Sequence, residues 1–156
     1  MVEFSEMGLR TETGVPEERK TFLSGLNDAI AGLTDPREIE DVVTGRLAAH
    51  MRAWRSYVWM IDKTDPALAL ASERVLAVAD IDLSPLPLEE RRDARRKAVR
   101  AFISAPFLAH GRFVGALTVA EPHARAWTSG EVELVQEVAQ CAWAALRFAD
   151  AERPAP

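Results

Sequence analysis

The side chains that could cut, transfer or ligate are few in this chain, and they stand far apart. Its 156 residues include one cysteine, Cys141, and three histidines, His50, His110 and His123. A nucleophilic thiol needs a neighbouring base or a depressed pKa. Cys141 sits instead in Gln140-Cys141-Ala142-Trp143-Ala144-Ala145, an apolar helical stretch where a buried thiol acts as a small hydrophobe. The histidines fall on a helix, a hairpin turn and a loop, with no His-x-x-x-His or Glu-x-x-His pair to grip a metal, so they read as surface or turn residues. His123 alone stands where the last strand hands over to the last helix, at what would be the rim of a pocket. No Gly-rich phosphate loop, Gly-x-Ser-x-Gly elbow or carboxylate pair on one face is found. The chain is therefore expected to be no enzyme, with no catalytic residue, no metal and no cofactor.

Charge chemistry is the other candidate. Arg91, Arg92, Arg95, Arg96, Lys97 and Arg100 form a basic run, but Glu89, Glu90 and Asp93 share it and no aromatic is interleaved to stack on bases. A solvated helix face laced with i to i+4 pairs is the simpler reading. With a formal net charge of −5, neither nucleic acid nor an anionic membrane is an expected partner. The apolar stripe of this helix, Leu88, Ala94, Ala98 and Val99, is thin, so it is expected to be weakly anchored and able to move.

The elements that position these residues are marked by period and punctuation. Residues 1–15 lack an apolar period and are expected to form a flexible arm, with one domain over residues 16–153. Phe22, Leu23, Leu26, Ile30 and Leu33 recur at helical spacing, ending near Gly32. Asp35-Pro36-Arg37-Glu38 is a capping box opening a second helix buried through Ile39, Val42, Val43, Leu47 and Met51. Tyr57 to Ile61 reads as a strand covered on both faces, Asp65-Pro66 as the start of a short helix, and Val75 to Ala79 as a shorter strand. Ser84-Pro85-Leu86-Pro87 turns into the charged helix from Leu88 to Val99. Ala101 to Leu108 and Arg112 to Glu121 read as a hairpin joined by Ala109-His110-Gly111. Thr128-Ser129-Gly130-Glu131 is a second capping box, starting a helix to about Glu152.

Composition fits this plan: 48% hydrophobic and 28% charged residues, enough for one core without a metal or disulfide. The longest apolar stretch, Ala101 to Ala120, is broken by Pro106, His110, Gly111 and Arg112, short of the ~20 apolar residues of a membrane span. One cysteine and an acidic start without a signal-peptide pattern lead to the expectation of a cytoplasmic protein.

The order of helix, helix, strand, variable middle, helix, hairpin and long helix resembles a GAF domain. The segments that carry the resemblance run from Val99 to Leu108 (Val-Arg-Ala-Phe-Ile-Ser-Ala-Pro-Phe-Leu), from Gly111 to Val119 (Gly-Arg-Phe-Val-Gly-Ala-Leu-Thr-Val) and from Trp127 to Val135 (Trp-Thr-Ser-Gly-Glu-Val-Glu-Leu-Val), with Leu26 to Asp62 similar to the family's opening. The resemblance implies an α+β fold, an antiparallel sheet with N- and C-terminal helices on one face and a ligand pocket on the other. It implies a sensory or regulatory domain of bacterial signal transduction, of the type found beside histidine kinases in two-component systems and in light sensors. Tyr57, Trp59, Ser104 and Pro106 match pocket-side positions, with Glu121 and His123 at the mouth, for a small molecule not identified. The family's helices often pair two-fold, so a homodimer through Phe22, Leu26, Trp143 and Phe148 is expected, with an output kinase or other signalling partner.

Three family chemistries lack their residues here. Bilin attachment wants a thiol beside the pocket with a cysteine-histidine pair and an Asp-Ile-Pro motif. Free-methionine-sulfoxide reduction wants further cysteines to resolve an oxidised one. Cyclic-nucleotide binding wants an Asn-Lys…Phe…Asp-Glu constellation. The middle, with only three residues between Asp62 and Pro66, is short for the family, and a shortened wall weakens a pocket. The rival expectation is thus an interaction scaffold with a degenerate pocket and no ligand.

Overall fold

A computed structural model describes residues 16–60 and 74–152. The N-terminal arm and the short helix expected at Asp65-Pro66 lie outside the described residues, as does Ile61. Helix α1 (Pro16–Ile30) stops where Gly32 takes φ +82°, a left-handed conformation that costs glycine little. Helix α2 (Pro36–Met51) starts with Pro36 in its first turn and the Asp35 carboxylate accepting the Arg37 N–H at 3.0 Å. That bond falls one residue earlier than a capping box would place it. Ile39, Val43, Leu47 and Met51 form its buried stripe, with Val42 half-buried at the edge.

Strands β1 (Arg55–Met60), β2 (Leu76–Val78), β3 (Ala101–Ala109) and β4 (Arg112–Glu121) form an antiparallel four-stranded sheet in the order β1-β4-β3-β2. The fold is α+β, with α1, α2 and helix α4 (Ser129–Glu152) layered on one face. Strand β1 departs from its expected double coverage. Among the described residues it pairs only with β4, so it is an edge strand, with Ser56 to Trp59 half-buried and Arg55 and Met60 exposed. The β3–β4 connection is tighter than expected, since Ala109 already pairs with Arg112 and only His110 and Gly111, at φ +53° and +77°, make the turn. A bulge between Phe107 and Leu108 then shifts the register, so that Ser104 faces Thr118.

Period-two alternation decides what each face of the sheet does. Ile103, Ala105, Phe107, Leu117 and Val119 point toward the helices and join Leu26, Ile39, Val43, Leu47, Val132, Val135 and Val138 in one core. Each such fully buried aliphatic or aromatic side chain stabilises the fold by ~1.5–3 kcal/mol. The α4 capping box is complete: Glu131 N–H donates to Thr128 Oγ1 at 3.0 Å, and Thr128 N–H donates to Glu131 Oε1 at 2.8 Å.

The core also absorbs most residues expected at a dimer interface. Leu26 is fully buried. Phe22 stacks on His50 with centroids 4.2 Å apart. Trp143 stacks on Phe107 at 5.3 Å and donates its indole N–H to the Leu108 carbonyl at 3.1 Å. These three close the chain's own core, and Phe148 alone of the four is exposed, at 58%.

Between β2 and β3 the chain makes a 3-10 turn (Ile81–Leu83) and helix α3 (Leu88–Arg96). The charged run forms one i to i+4 pair of the expected kind, Lys97 with Asp93, and two i to i+3 pairs, Arg92 with Glu89 and Arg96 with Asp93.

Candidate functional site

The face of the sheet turned away from α1, α2 and α4 carries the polar and aromatic residues. Cross-strand register sets Tyr57 opposite Thr118 and Thr118 opposite Ser104, with Leu76 beyond. The Thr118 hydroxyl lies 3.3 Å from that of Ser104, and Tyr57 stands directly opposite Thr118 in the register. Three hydroxyls thus form a row across the middle of the sheet. One register step away Trp59, Ala116 and Pro106 align, and the Trp59 ring meets Phe113 at 5.4 Å.

This row is polar on an otherwise apolar surface. Thr118 is only 3% exposed, so its hydroxyl depends on its neighbours for hydrogen bonds. Burial pushes the Tyr57 phenol above its ordinary pKa, against the opposing pull of Lys97 and Arg55. The arrangement can hold a small molecule by hydroxyl hydrogen bonds flanked by aromatic faces. Among the described residues no His, Cys, Asp and Glu group is placed to hold a metal ion.

The sequence brings Tyr57, Trp59, Ser104 and Pro106 onto one face as expected. Glu121 stands apart from them. It shares the parity of Leu117 and Val119, is 4% exposed, accepts the Trp54 N–H at 2.7 Å, and accepts Arg125 Nη1 at 2.9 Å. Arg125 Nη2 also reaches the Met51 carbonyl at 2.8 Å and the Glu131 carboxylate, while its guanidinium lies 4.6 Å from the Trp127 ring centroid. Glu121 is thus the centre of a clamp joining α2, β4 and α4, with both oxygens engaged. His123 is exposed in the β4–α4 loop. Thr118 and Phe113 were missed because the bulge changes which β4 residues share a face with Ser104. The signal available was Gly115, where a tight crossing spares no room for a side chain: a Cβ would fall 2.5 Å from the Trp59 carbonyl oxygen.

A groove of about 510 Å³ runs between the C-terminal halves of α1 and α4, lined by Asn27, Ile30, Leu33, Cys141, Ala145 and Phe148 among others. Burial raises the Cys141 thiol pKa, with a hydrogen bond to Asn27 pulling the other way. The helical layer and the sheet separate this thiol from the hydroxyl row.

The GAF domain family model matches residues 23–146, and the chain belongs to the GAF family. No match among curated proteins was found. Among solved structures, the chain is similar to free methionine-R-sulfoxide reductase from Neisseria meningitidis in complex with its substrate, at 14% identity and TM-score 0.71, covering 94% of this chain and 99% of that one. It is similar to the blue-light-absorbing form of the PixJ GAF domain of Thermosynechococcus elongatus, at 16% identity and TM-score 0.63, covering 85% and 91%. A two-component sensor histidine kinase domain from Sinorhizobium meliloti shares the fold at 13% identity and TM-score 0.62, covering 74% and 93%. No helix of the described residues is long and apolar enough to cross a membrane.

Proposed function

We propose that this GAF domain is a non-catalytic sensory module of bacterial signal transduction that binds a small molecule on the face of its sheet turned away from α1, α2 and α4 and signals as a homodimer through α1 and α4. The observation that carries the reading is the hydroxyl row of Tyr57, Thr118 and Ser104, flanked by Trp59 and Phe113, on the face free of the core helices. The light-absorbing and sensor-kinase relatives of the same fold support a signalling role. The methionine-sulfoxide reductase relative shows that the fold can also be an enzyme, but the single thiol here lies in the α1–α4 groove with its pKa raised, which opposes nucleophilic use. For the dimer, the support is Phe148, exposed beside that groove.

Native mass spectrometry of the freshly purified chain tests both halves at once. A dimer carrying an adduct of a few hundred daltons, lost on Ser104→Leu or Trp59→Ala, supports the sensor. A bare chain through several gentle preparations counts against the ligand and favours an interaction scaffold. A monomer at tens of micromolar, or a dimer untouched by Phe148→Glu, counts against the helical interface.

A further inference from the structure

The corner where α2 hands over to β1 carries one sign of charge on a chain whose net charge is of the other. Asp and Glu supply 24 of the 156 residues, yet none falls between Asp41 and Asp62, a stretch that holds Arg46, His50, Arg52 and Arg55. The β4–α4 loop is tied to this corner by the Trp54 N–H on Glu121 at 2.7 Å and by Arg125 on the Met51 carbonyl at 2.8 Å. That loop is also free of acids from Pro122 to Gly130. Glu121 itself is 4% exposed and paired with Arg125, so neither segment shows a free carboxylate to solvent.

The cations of the corner are unspent. Elsewhere Arg19, Arg92, Arg95, Arg96, Arg100 and Arg125 each meet a carboxylate. Among the described residues Arg52 and Arg55 meet none, and both are exposed. Arg52 takes the left-handed position that ends α2, at φ 54°, where glycine is the common residue. The Arg55 guanidinium lies 4.5 Å from the centroid of the Trp54 ring, a stack that steadies the cation and leaves its N–H groups free to donate. Trp54 is 43% exposed. Trp127 and Trp143 give their indole N–H to the Val78 and Leu108 carbonyls, whereas that of Trp54 has no partner among the described residues.

We infer that Arg52, Trp54 and Arg55 form a docking surface for a short acidic segment of a partner protein. Asp or Glu carboxylates fork onto the two guanidinium groups, the indole N–H supplies a further donor, and the ring takes an apolar side chain of the same segment. Size selects this partner among anions. A duplex or an anionic membrane extends past the corner and meets the remaining surface of a chain with net charge −5, which repels it. A single-stranded nucleic acid wants successive aromatic platforms, and the corner exposes one. A segment of a few residues engages the cations alone. This surface lies apart from the hydroxyl row and does not depend on a ligand there.

Fluorescence anisotropy of the full chain tests it. The probe is a fluorescein-labelled peptide of Asp and Glu around a central leucine, and its controls are the matching Asn and Gln peptide, a deoxythymidine oligonucleotide of equal length and vesicles containing phosphatidylserine. At low salt the acidic peptide is expected to bind with a Kd of roughly 10–100 μM, and raising sodium chloride to about 0.2 M should weaken it about tenfold. Arg52→Glu with Arg55→Glu should cost more than about tenfold, and Trp54→Phe, which keeps a ring and deletes the N–H, about threefold. The same reversal on α3, Arg92→Glu with Arg96→Glu, changes net charge equally and should cost less than about threefold. Should the first double variant melt early, Arg52→Gln with Arg55→Gln is read in its place, with a loss of about fivefold expected. Equal losses from the two reversals would reduce the effect to net charge and overturn the docking surface. Unchanged affinity in the Arg52 and Arg55 variants, equal binding of the uncharged peptide, or no binding of the acidic peptide would do the same. Tighter binding of the oligonucleotide or the vesicles would overturn the acidic segment and reassign the corner to that class.

Discussion

Replacing Arg125 with methionine tests whether the β4–α4 corner is held by charge. The guanidinium bonds Glu121 at 2.9 Å, the Met51 carbonyl at 2.8 Å and the Glu131 carboxylate. The side chains of Arg125, Glu121 and Glu131 are 21%, 6% and 18% exposed, so the cluster sits largely out of water. Methionine keeps an apolar stem against Trp127 while removing every donor. Glu121 is then left as a buried carboxylate with one remaining partner, the Trp54 N–H, and the carbonyl at the end of α2 loses its bond. Breaking a buried pair costs ~3–5 kcal/mol. The retained N–H and the partial exposure of Arg125 place this case at about 2–4 kcal/mol. For a domain of this size that is a fall in melting temperature of about 4–16 °C. Urea unfolding of Arg125→Met, of Glu121→Gln and of the double variant supplies the cycle, and the double variant should recover at least about 1 kcal/mol relative to additivity. A loss below about 0.5 kcal/mol for Arg125→Met, or strictly additive effects, would refute the reasoning and assign the corner to apolar packing around Trp127.

Other consequences are equally direct. Gly115→Ala drives a Cβ to 2.5 Å from the Trp59 carbonyl and 2.7 Å from Met60 Sδ, so it should cost about 1–3 kcal/mol and raise amide exchange first in β1. Trp143→Ala should cost about 3–5 kcal/mol by denaturant titration, since the ring stacks on Phe107 and its N–H is bonded, whereas Phe148→Ala should leave monomer stability within about 0.5 kcal/mol. The hydrogen bond from Arg100 holds the Asp80 carboxyl below its ordinary value, with burial opposing. Its contribution is therefore present above the unfolded pKa of about 3.9 and lost as pH falls through the lower folded value. Asp80→Asn should accordingly narrow the difference in urea midpoint between pH 7 and pH 3. Burial keeps the Cys141 thiol protonated above the usual range, so its alkylation by iodoacetamide at pH 8 should lag a free thiol and accelerate only at more alkaline pH.

The sequence by itself determined the local elements, because the forces that make them are local. Helical spacing located α1, α2 and α4, Thr128 to Glu131 spelled out the bonds of a capping box, and the turn residues His110 and Gly111 lie within the segment read as the hairpin connection. Alternation put Tyr57 and Trp59 on one face of β1 for the same reason. Tertiary structure decided everything that depends on register and on which surfaces meet. The turn pairs Ala109 with Arg112, and without the bulge between Phe107 and Leu108 that register would set Ser104 against Leu117. One inserted residue sets it against Thr118 instead and so creates the hydroxyl row. Glu121 looked like a pocket residue by resemblance, yet its buried partners Trp54 and Arg125 are brought to it by folding. Amphipathicity made Leu26, Phe22 and Trp143 equally fit for a partner's surface or the chain's own core, since an apolar stripe does not specify its occupant. Only the packing of α1 and α4 against the sheet filled that stripe from within and left Phe148 outside.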